Sequence, residues 1–257
     1  MPTVLLALLL LFAPEKTYKI EYRFRKGDEY LDSTTRLFKM ELIQGKSLVS
    51  FHIESTETMK RQIQEVKDGR PDIERVTIKD FTREVKKSPV QKEVGAVKNK
   101  AIGAIFIWRR VGERWGLFGQ RSELTERHPD IVNRLKNWRD ARLPKKPVKI
   151  GDTWKVSAKD FLEASGQPVP PNTAGDIEFK LAAVDKDGVG KIEFRGMWMY
   201  RTQDSKFVVE QTGTWMFDTV RGRDLSLTST GNLDISGGQE GKGALEMKRV
   251  VTWKATK

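Results

Sequence analysis

Cysteine is absent from all 257 residues, which removes disulfides, thiolate metal sites, iron–sulfur clusters and a cysteine nucleophile together. Histidine is almost absent, at His52 and His128 alone. A histidine-rich metal site is therefore out of reach, and a Ser-His-Asp triad would hang on one of the two with no nucleophile-elbow motif in the chain. A membrane-length apolar run is missing as well. The stretch from Val4 to Phe12 is unbroken but has about half of the roughly 20 residues that a spanning helix requires. It has the length of a signal-peptide core, although no Lys or Arg precedes it and Leu11-Phe12-Ala13 before Pro14 is a poor cleavage site. Residues 1–14 are therefore expected to be a signal peptide, with export to the periplasm or beyond. The alternative is a buried N-terminal strand or helix. For the sequence as given, no cysteine follows the run to carry a lipoprotein anchor.

Catalytic signatures are also lacking. The segment Asp185-Lys186-Asp187-Gly188 starts like a calcium loop, but Val189 takes the third ligand position and no glutamate falls at the twelfth, so it reads as a hairpin turn. A carboxylate-dependent hydrolase needs only two acids at a fixed separation. No motif nominates a pair among the 35 acidic residues. No catalytic residue, metal ligand or cofactor is assigned; whether the chain is an enzyme stays open, with the balance against it.

What the chain does have is uneven charge. The formal net charge is +12, and residues 83–149 hold 18 Lys and Arg against 7 Asp and Glu. Residues 1–82 are nearly balanced at 14 against 13, and residues 150–257 are balanced at 15 against 15. A concentrated positive field raises the local concentration of anionic partners, so the middle segment is the candidate binding surface. Aromatic residues sit among its charges, Phe106, Trp108, Trp115 and Phe118 beside Arg109, Arg110 and Arg114. The candidate surface comprises Trp108, Arg109, Arg110, Arg114, Trp115, Arg134, Arg139, Lys145 and Lys146. Cations there would meet lipid headgroups or an anionic envelope polymer, and the rings would sit at the interface of a membrane surface. Base stacking is chemically open to the same residues, but export and the lack of a nucleic-acid motif argue against it. The competing reading packs the rings on a sheet and leaves the cations solvated. Nothing in the sequence sets the oligomeric state.

From Gly175 onward the hydropathy period is two. Ile177, Phe179 and Leu181 alternate with Glu178 and Lys180, and Ile192, Phe194, Trp198 and Tyr200 interleave with Lys191, Glu193, Arg195 and Arg201. The pattern continues through Phe207, Val209, Trp215, Phe217, Leu225, Leu227, Leu233, Ile235, Leu245, Met247, Val251 and Trp253, broken by turn residues near 186, 204, 222 and 237–243. Such alternation predicts a five-stranded antiparallel meander, with Phe179, Phe194, Trp198, Trp215 and Trp253 more buried than Lys180, Glu193 and Arg195. The first eighty residues read similarly: a strand through Tyr18, Ile20, Tyr22 and Phe24, a second through Leu37 and Leu42, a third with Leu48, Phe51 and Ile53 that fades into a polar stretch, and a fourth with Ile73, Val76, Ile78 and Phe81. His52 falls opposite the row of Phe51 and Ile53. The middle does not alternate. Val94, Val97, Ala101, Ala104 and Ile105 approach helical spacing, weakened by Gly95 and Gly103. Ile131, Leu135 and Trp138 after Pro129 make a clearer helix, with Arg142 falling inside its apolar stripe.

The string Leu143-Pro144-Lys145-Lys146-Pro147-Val148-Lys149-Ile150-Gly151-Asp152-Thr153-Trp154 gives an extended approach, a Gly-Asp turn and entry to a strand. It resembles a group of uncharacterised exported bacterial β-rich proteins whose second half opens with Leu-Pro, Pro-Val and Gly-Asp-Thr-Trp, and which begin with an aromatic alternating strand and a Gly-Asp turn, as in Tyr18 to Tyr30 here. The resemblance implies export and a β-rich fold and carries no catalytic role. Lys26-Gly27-Asp28-Glu29-Tyr30 and Ile150-Gly151-Asp152-Thr153-Trp154 are either equivalent turns of an internal repeat or two unrelated hairpins. The expected architecture is mainly β: one domain over residues 15–257, a broad curved antiparallel sheet or incomplete barrel, with one or two helices from the basic segment at 83–149 covering a face or an opening. Two smaller β domains are the alternative. A covered concavity suits a lipid or other hydrophobic ligand, making a non-enzymatic, membrane-peripheral envelope protein the leading function. An assembly factor binding another protein through a sheet edge comes second, and a carboxylate-dependent hydrolase third.

Overall fold

The computed structural model describes residues 16–44, 47–88, 102–111, 114–118, 139–165, 169–170 and 172–254. Its strands are β1 (Glu29–Gln44), β2 (Ser47–Lys67), β3 (Arg70–Ser88), β4 (Ile105–Val111), β5 (Arg114–Phe118), β6 (Thr153–Ser157), β7 (Ala174–Val184), β8 (Val189–Arg201), β9 (Ser205–Asp218), β10 (Arg223–Gly237) and β11 (Glu240–Trp253). All eleven join one sheet in the order β5-β4-β3-β2-β1-β11-β10-β9-β8-β7-β6, and every pairing is antiparallel. The chain steps outward from β1 to β5, then inward from β6 to β11, so the first and last strands pair at the centre. The two edges, β5 and β6, come from the middle of the sequence and leave the sheet open. One sheet thus replaces the alternative of two β domains. Its inner side chains from Ile63 on β2 to Phe179 on β7 belong to a single contiguous buried cluster.

The five C-terminal strands match the alternation. Phe179, Phe194, Trp198 and Trp215 are buried and Trp253 is half-buried, while Lys180, Glu193 and Arg195 are exposed. In the N-terminal half the first expected strand is different. Residues 18 to 24 form no sheet strand; Tyr18 makes an isolated antiparallel bridge to Val148, and the Arg23 amide donates to the Gly222 carbonyl at 3.1 Å. Alternation survives as burial, with Ile20, Tyr22 and Phe24 buried and Lys19, Arg23 and Arg25 exposed. The segment packs as a cover: Tyr22 meets Phe217 edge-on at 5.5 Å, and Phe24 lies 6.1 Å from Trp253.

The two Gly-Asp turns repeat one another bond for bond. Gly27 and Gly151 both have positive φ, at 88° and 96°, where a side chain would be strained. The Arg25 amide donates to the Asp28 carboxylate and the Lys149 amide to the Asp152 carboxylate, each at 2.8 Å. Each turn then docks on a neighbouring strand in the same way: Gly27 N–H to the Ile63 carbonyl and Ile63 N–H to the Asp28 carbonyl, Gly151 N–H to the Leu181 carbonyl and Leu181 N–H to the Asp152 carbonyl. Both lead directly into a strand, β1 and β6. Local geometry therefore supports the repeat that the sequence left open.

The helix expected over 129–138, and that over 94–101, lie outside the described residues, and Ile105 opens β4. Arg139–Arg142 form a 3₁₀ turn. The described α-helix, α1 (Ala158–Ser165), follows β6 and was not expected. Its signal is short but present: the Ser157 hydroxyl accepts from the Asp160 amide at 3.1 Å, an N-cap, and Asp160 stands in the first turn. Ala158, Phe161 and Leu162, at helical spacing, are its buried face.

Candidate ligand-binding face

The register makes the inner face of the sheet a grid. One rung runs Glu57, Thr34, Arg249, Leu227, Trp215, Ile192, Leu181 from β2 to β7; the next but one runs Ile53, Phe38, Leu245, Gly231, Gln211, Gly196, Ile177. On the β7 to β9 side the grid is covered. Phe161 of α1 lies 6.3 Å from Phe179 and from Phe194 and 6.4 Å from Trp198, and Trp154 stacks on Phe179 at 5.5 Å. These contacts make a solid aromatic core.

At the centre, where the two halves of the chain meet, the inner face is charged. Arg142 Nη2 lies 3.7 Å from Asp224 on β10; Arg249 on β11 binds Asp224 at 2.8 Å and grips Asp32 on β1 through two bonds of 2.7 and 3.0 Å. Arg61 on β2 then sits 3.5 Å from Asp32 and 3.1 Å from Glu74 on β3. Each of five adjacent strands contributes one member, and the signs alternate. Neutral donors complete the ladder: Tyr22 Oη and Trp215 Nε1 both donate to Asp224 Oδ1, at 2.8 and 3.0 Å, and Tyr30 Oη donates to Glu74 at 2.9 Å. Asp224 is only 1% exposed. Burial on its own would depress both arginines, but Glu74, with Tyr30 and Asp32, lifts Arg61 above the ordinary arginine value, and Asp32 and Asp224 do the same for Arg249. Both remain cations under any ordinary condition.

Beyond the ladder, on β1, β2 and β11, the inner row turns apolar again. Phe38, Met40, Phe51, Ile53, Leu245 and Met247 line it, and all six are only half-buried. Polar groups interrupt the apolar row sparingly: Arg36 pairs with Glu57 at 3.3 Å, and Gln211 donates to the Ser229 hydroxyl at 2.7 Å. The outer face is unlike it. Threonines 35, 56, 212, 214, 228 and 230 and the charges of Lys180, Glu193 and Arg195 line its shallow open depressions or lie beside them. Among the described residues no group of three or more His, Cys, Asp or Glu could hold a metal.

Of the residues singled out from the basic segment, those whose side chains are described do not gather on one surface. Trp108 is fully buried in a second core with Met59, Val76, Ile78, Phe81 and Phe106, so its ring is not at the surface; the inward side of β4 packs on β3. Arg109, the next residue, is exposed on the opposite face. Arg110 turns inward and is half-buried, its guanidinium 3.8 and 3.9 Å from Asp68 and Asp72. Lys145 and Lys146 are exposed on the approach to β6, at the other end of the strand order. Arg134 lies outside the described residues, and of Arg114, Trp115 and Arg139 only the backbone positions, on β5 and in the 3₁₀ turn, are described.

The charged ladder was not seen in the sequence, for two physical reasons. A bulge shifts the register between Asp224 and Ser226, so Asp224 and Leu227 both face inward although simple alternation pairs Leu225 with Leu227 and turns Asp224 outward. On β2 the inward positions Ser55, Glu57 and Arg61 are polar, with Met59 the one apolar side chain among them, which erases the period-two signal. Arg142, by contrast, left a trace as a cation inside an apolar stripe; it is buried and lies over the Trp215 ring at 5.1 Å.

No family model and no curated protein matches the sequence. Among solved structures the chain is similar to OccK7 (OpdD) of Pseudomonas aeruginosa at a TM-score of 0.29 and 7% identity, covering 90% of this chain and 100% of that one, a likeness too distant to carry an argument. It is similar to a lipovitellin, solved for its lipid–protein interactions, at a TM-score of 0.55 and 8% identity, covering 91% of this chain. The aligned chain spans 26% of that lipovitellin's length, and at this identity the two share a fold alone.

Proposed function

We propose that the protein is a non-enzymatic exported envelope protein whose inner sheet face, on β1, β2 and β11, holds a lipid or similar hydrophobic ligand. The observation that carries this reading is the row Phe38, Met40, Phe51, Ile53, Leu245 and Met247, apolar but half-buried, beside the buried inner positions of β7 to β9. Apolar surface left accessible on a concave face is the usual setting of a hydrophobic ligand. The fold shared with a lipid-associated lipovitellin fits that role. Export rests on the apolar run Val4 to Phe12. In this proposal the basic segment adds attraction to anionic envelope components through exposed Arg109, Lys145 and Lys146. Native mass spectrometry of protein purified from its own envelope tests the reading: a discrete added mass that organic extraction removes is expected, and a clean apoprotein with no uptake of added fatty acid or phospholipid would overturn it.

A second reading has one specific support. β4 is short and pairs β3 from Ile73 to Thr77, whereas β3 itself runs on to Ser88. An edge of that length is a template for strand addition by another protein. Co-purification of a protein rather than a lipid would favour it.

A further inference from the structure

Around the half-buried apolar row the two faces of the sheet differ in charge. Over residues 36–43 of β1, 48–57 of β2, 81–88 of β3 and 240–248 of β11, the register turns three cations inward, Arg36, Arg83 and Lys87, against one acid, Glu57. The outward positions of the same segments hold four lysines against five glutamates. Positive charge is thus in excess on the apolar face and not on the polar one. A ligand with a negative head and an apolar body complements such a face.

The cations are placed at one end of the row. Arg36, Ser55 and Arg83 stand on a single rung across β1, β2 and β3; Ser55 is buried, both arginines are half-buried, and Arg36 meets Glu57 at 3.3 Å. Neighbouring strands lie about 4.8 Å apart, so the two arginine backbones are separated by about 10 Å, a span that lets both side chains reach one anion over the Ser55 hydroxyl. The next inward rung is Val85, Ile53, Phe38 and Leu245, followed by Lys87, Phe51 and Met40, and the row ends at buried Leu42 and Val49. Lys87 Nζ lies 5.2 Å over the Phe51 ring, at the side of the row. From Ser55 to Val49 the strand advances by six residues, about 20 Å at about 3.3 Å each. One acyl chain, which fills half of a bilayer's hydrocarbon core of about 30 Å, fits within that length.

We infer that the ligand of this face is a fatty acid, its carboxylate held beside Ser55 between Arg36 and Arg83 and its chain lying along Ile53, Phe38, Phe51 and Met40 toward Leu42. One head site leading into one row fits one chain. The inference names the class and direction of the ligand, and it rests on the hydrophobic-ligand reading proposed above.

The test is binding of radiolabelled palmitate, of hexadecanol, which shares the chain and lacks the charge, and of phosphatidylglycerol to the delipidated full chain at pH 8. Palmitate should bind at least about tenfold more tightly than hexadecanol, as expected from charge-assisted hydrogen bonds that the alcohol cannot make. Arg83→Gln should remove most of that difference by weakening palmitate about tenfold while leaving hexadecanol unchanged, and Arg83→Lys should restore part of it. Lys39→Gln and Lys248→Gln, on the outer face, should bind palmitate like the parent. The comparison of acid with alcohol is made on the parent and holds even where an arginine variant does not fold. Equal affinity for the two in the parent, palmitate binding unchanged in a folded Arg83→Gln, or phosphatidylglycerol bound more tightly than palmitate would overturn the fatty-acid assignment while the hydrophobic-ligand reading stands. Binding of none of the three would overturn both.

Discussion

The inner face is apolar on both sides of the charged ladder, but the two sides are in different states. On β7 to β9, Ile177, Phe179, Leu181, Phe194, Trp215 and Phe217 are buried. On β1, β2 and β11, Phe38, Met40, Phe51, Ile53, Leu245 and Met247 occupy the same inward register and are half-buried. The strands do not differ in pattern; the cover differs. α1 lies over the first set and Tyr22 reaches Phe217 from the N-terminal segment, whereas no described element packs as closely on the second. Alternation in a strand fixes which face an apolar side chain points to, and a second layer decides whether that face is core or binding surface.

The sharpest way to break this comparison is to cut the seam between the two sides. Asp224→Ala removes the acceptor of Tyr22, Trp215 and Arg249 and the carboxylate that faces buried Arg142, so urea unfolding should show a loss of about 3–5 kcal/mol. A loss under about 1 kcal/mol would mean that the ladder is not what joins the halves. Next, Phe179→Ala should cost about 3–5 kcal/mol and Phe51→Ala about 1 kcal/mol by the same measurement, because only the first opens a cavity inside a packed layer. Equal losses would show the apolar row to be ordinary core. A smaller effect is expected at Gly213, where an added Cβ would stand 2.4 Å from the Phe194 ring and 2.3 Å from the Thr228 carbonyl; Gly213→Ala should destabilise by about 1–3 kcal/mol through overpacking, and a thermal midpoint equal to the parent's would contradict the tight packing of that side.

The smallest effect concerns pH. Glu29, at the start of β1, pairs with Lys254 and with Lys60, and these bonds hold its carboxyl below the ordinary glutamate value of 4.5. Stability from the pairs is therefore present above about pH 4.5 and lost as pH falls through the lower folded value. Because the lysines are solvated, less than about 1 kcal/mol is expected. Urea midpoints measured from pH 6 down to about 3 should fall less steeply in Glu29→Gln than in the parent; parallel curves would remove Glu29 from the account.

Legibility in the sequence followed the chemistry of the faces. Where one face is apolar and the other charged, as at Phe179 against Lys180 or Phe194 against Glu193, the strands and their burial could be read directly. His52 likewise lies opposite the inward row, as its place between Phe51 and Ile53 implied. Where the inner face is itself charged, around Glu57 and Arg61, or where a bulge adds a residue, as at Asp224 and between Ile78 and Asp80, the period vanished and the seam with it. Tyr18 to Phe24 alternate like a strand because they too have one buried side, yet they cover a sheet instead of joining it. Within the basic segment Trp108 is core, Arg109 is solvated on the far face, and Arg110 is held by Asp68 and Asp72, three environments that a local excess of Lys and Arg does not distinguish. The half-buried row was written in the sequence, but its exposure depends on which elements cover it, and strand periodicity carries no record of that.

The most direct measurement is photo-crosslinking with a fatty acid carrying a diazirine in its chain, followed by peptide mapping. Adducts are expected on the peptides bearing Phe38, Met40, Phe51, Ile53, Leu245 and Met247, and to be lost in Met247→Glu. Adducts confined to the outer-face threonines 212, 214 and 228, or spread evenly over both faces, would contradict the claim that the half-buried inner row is a ligand site.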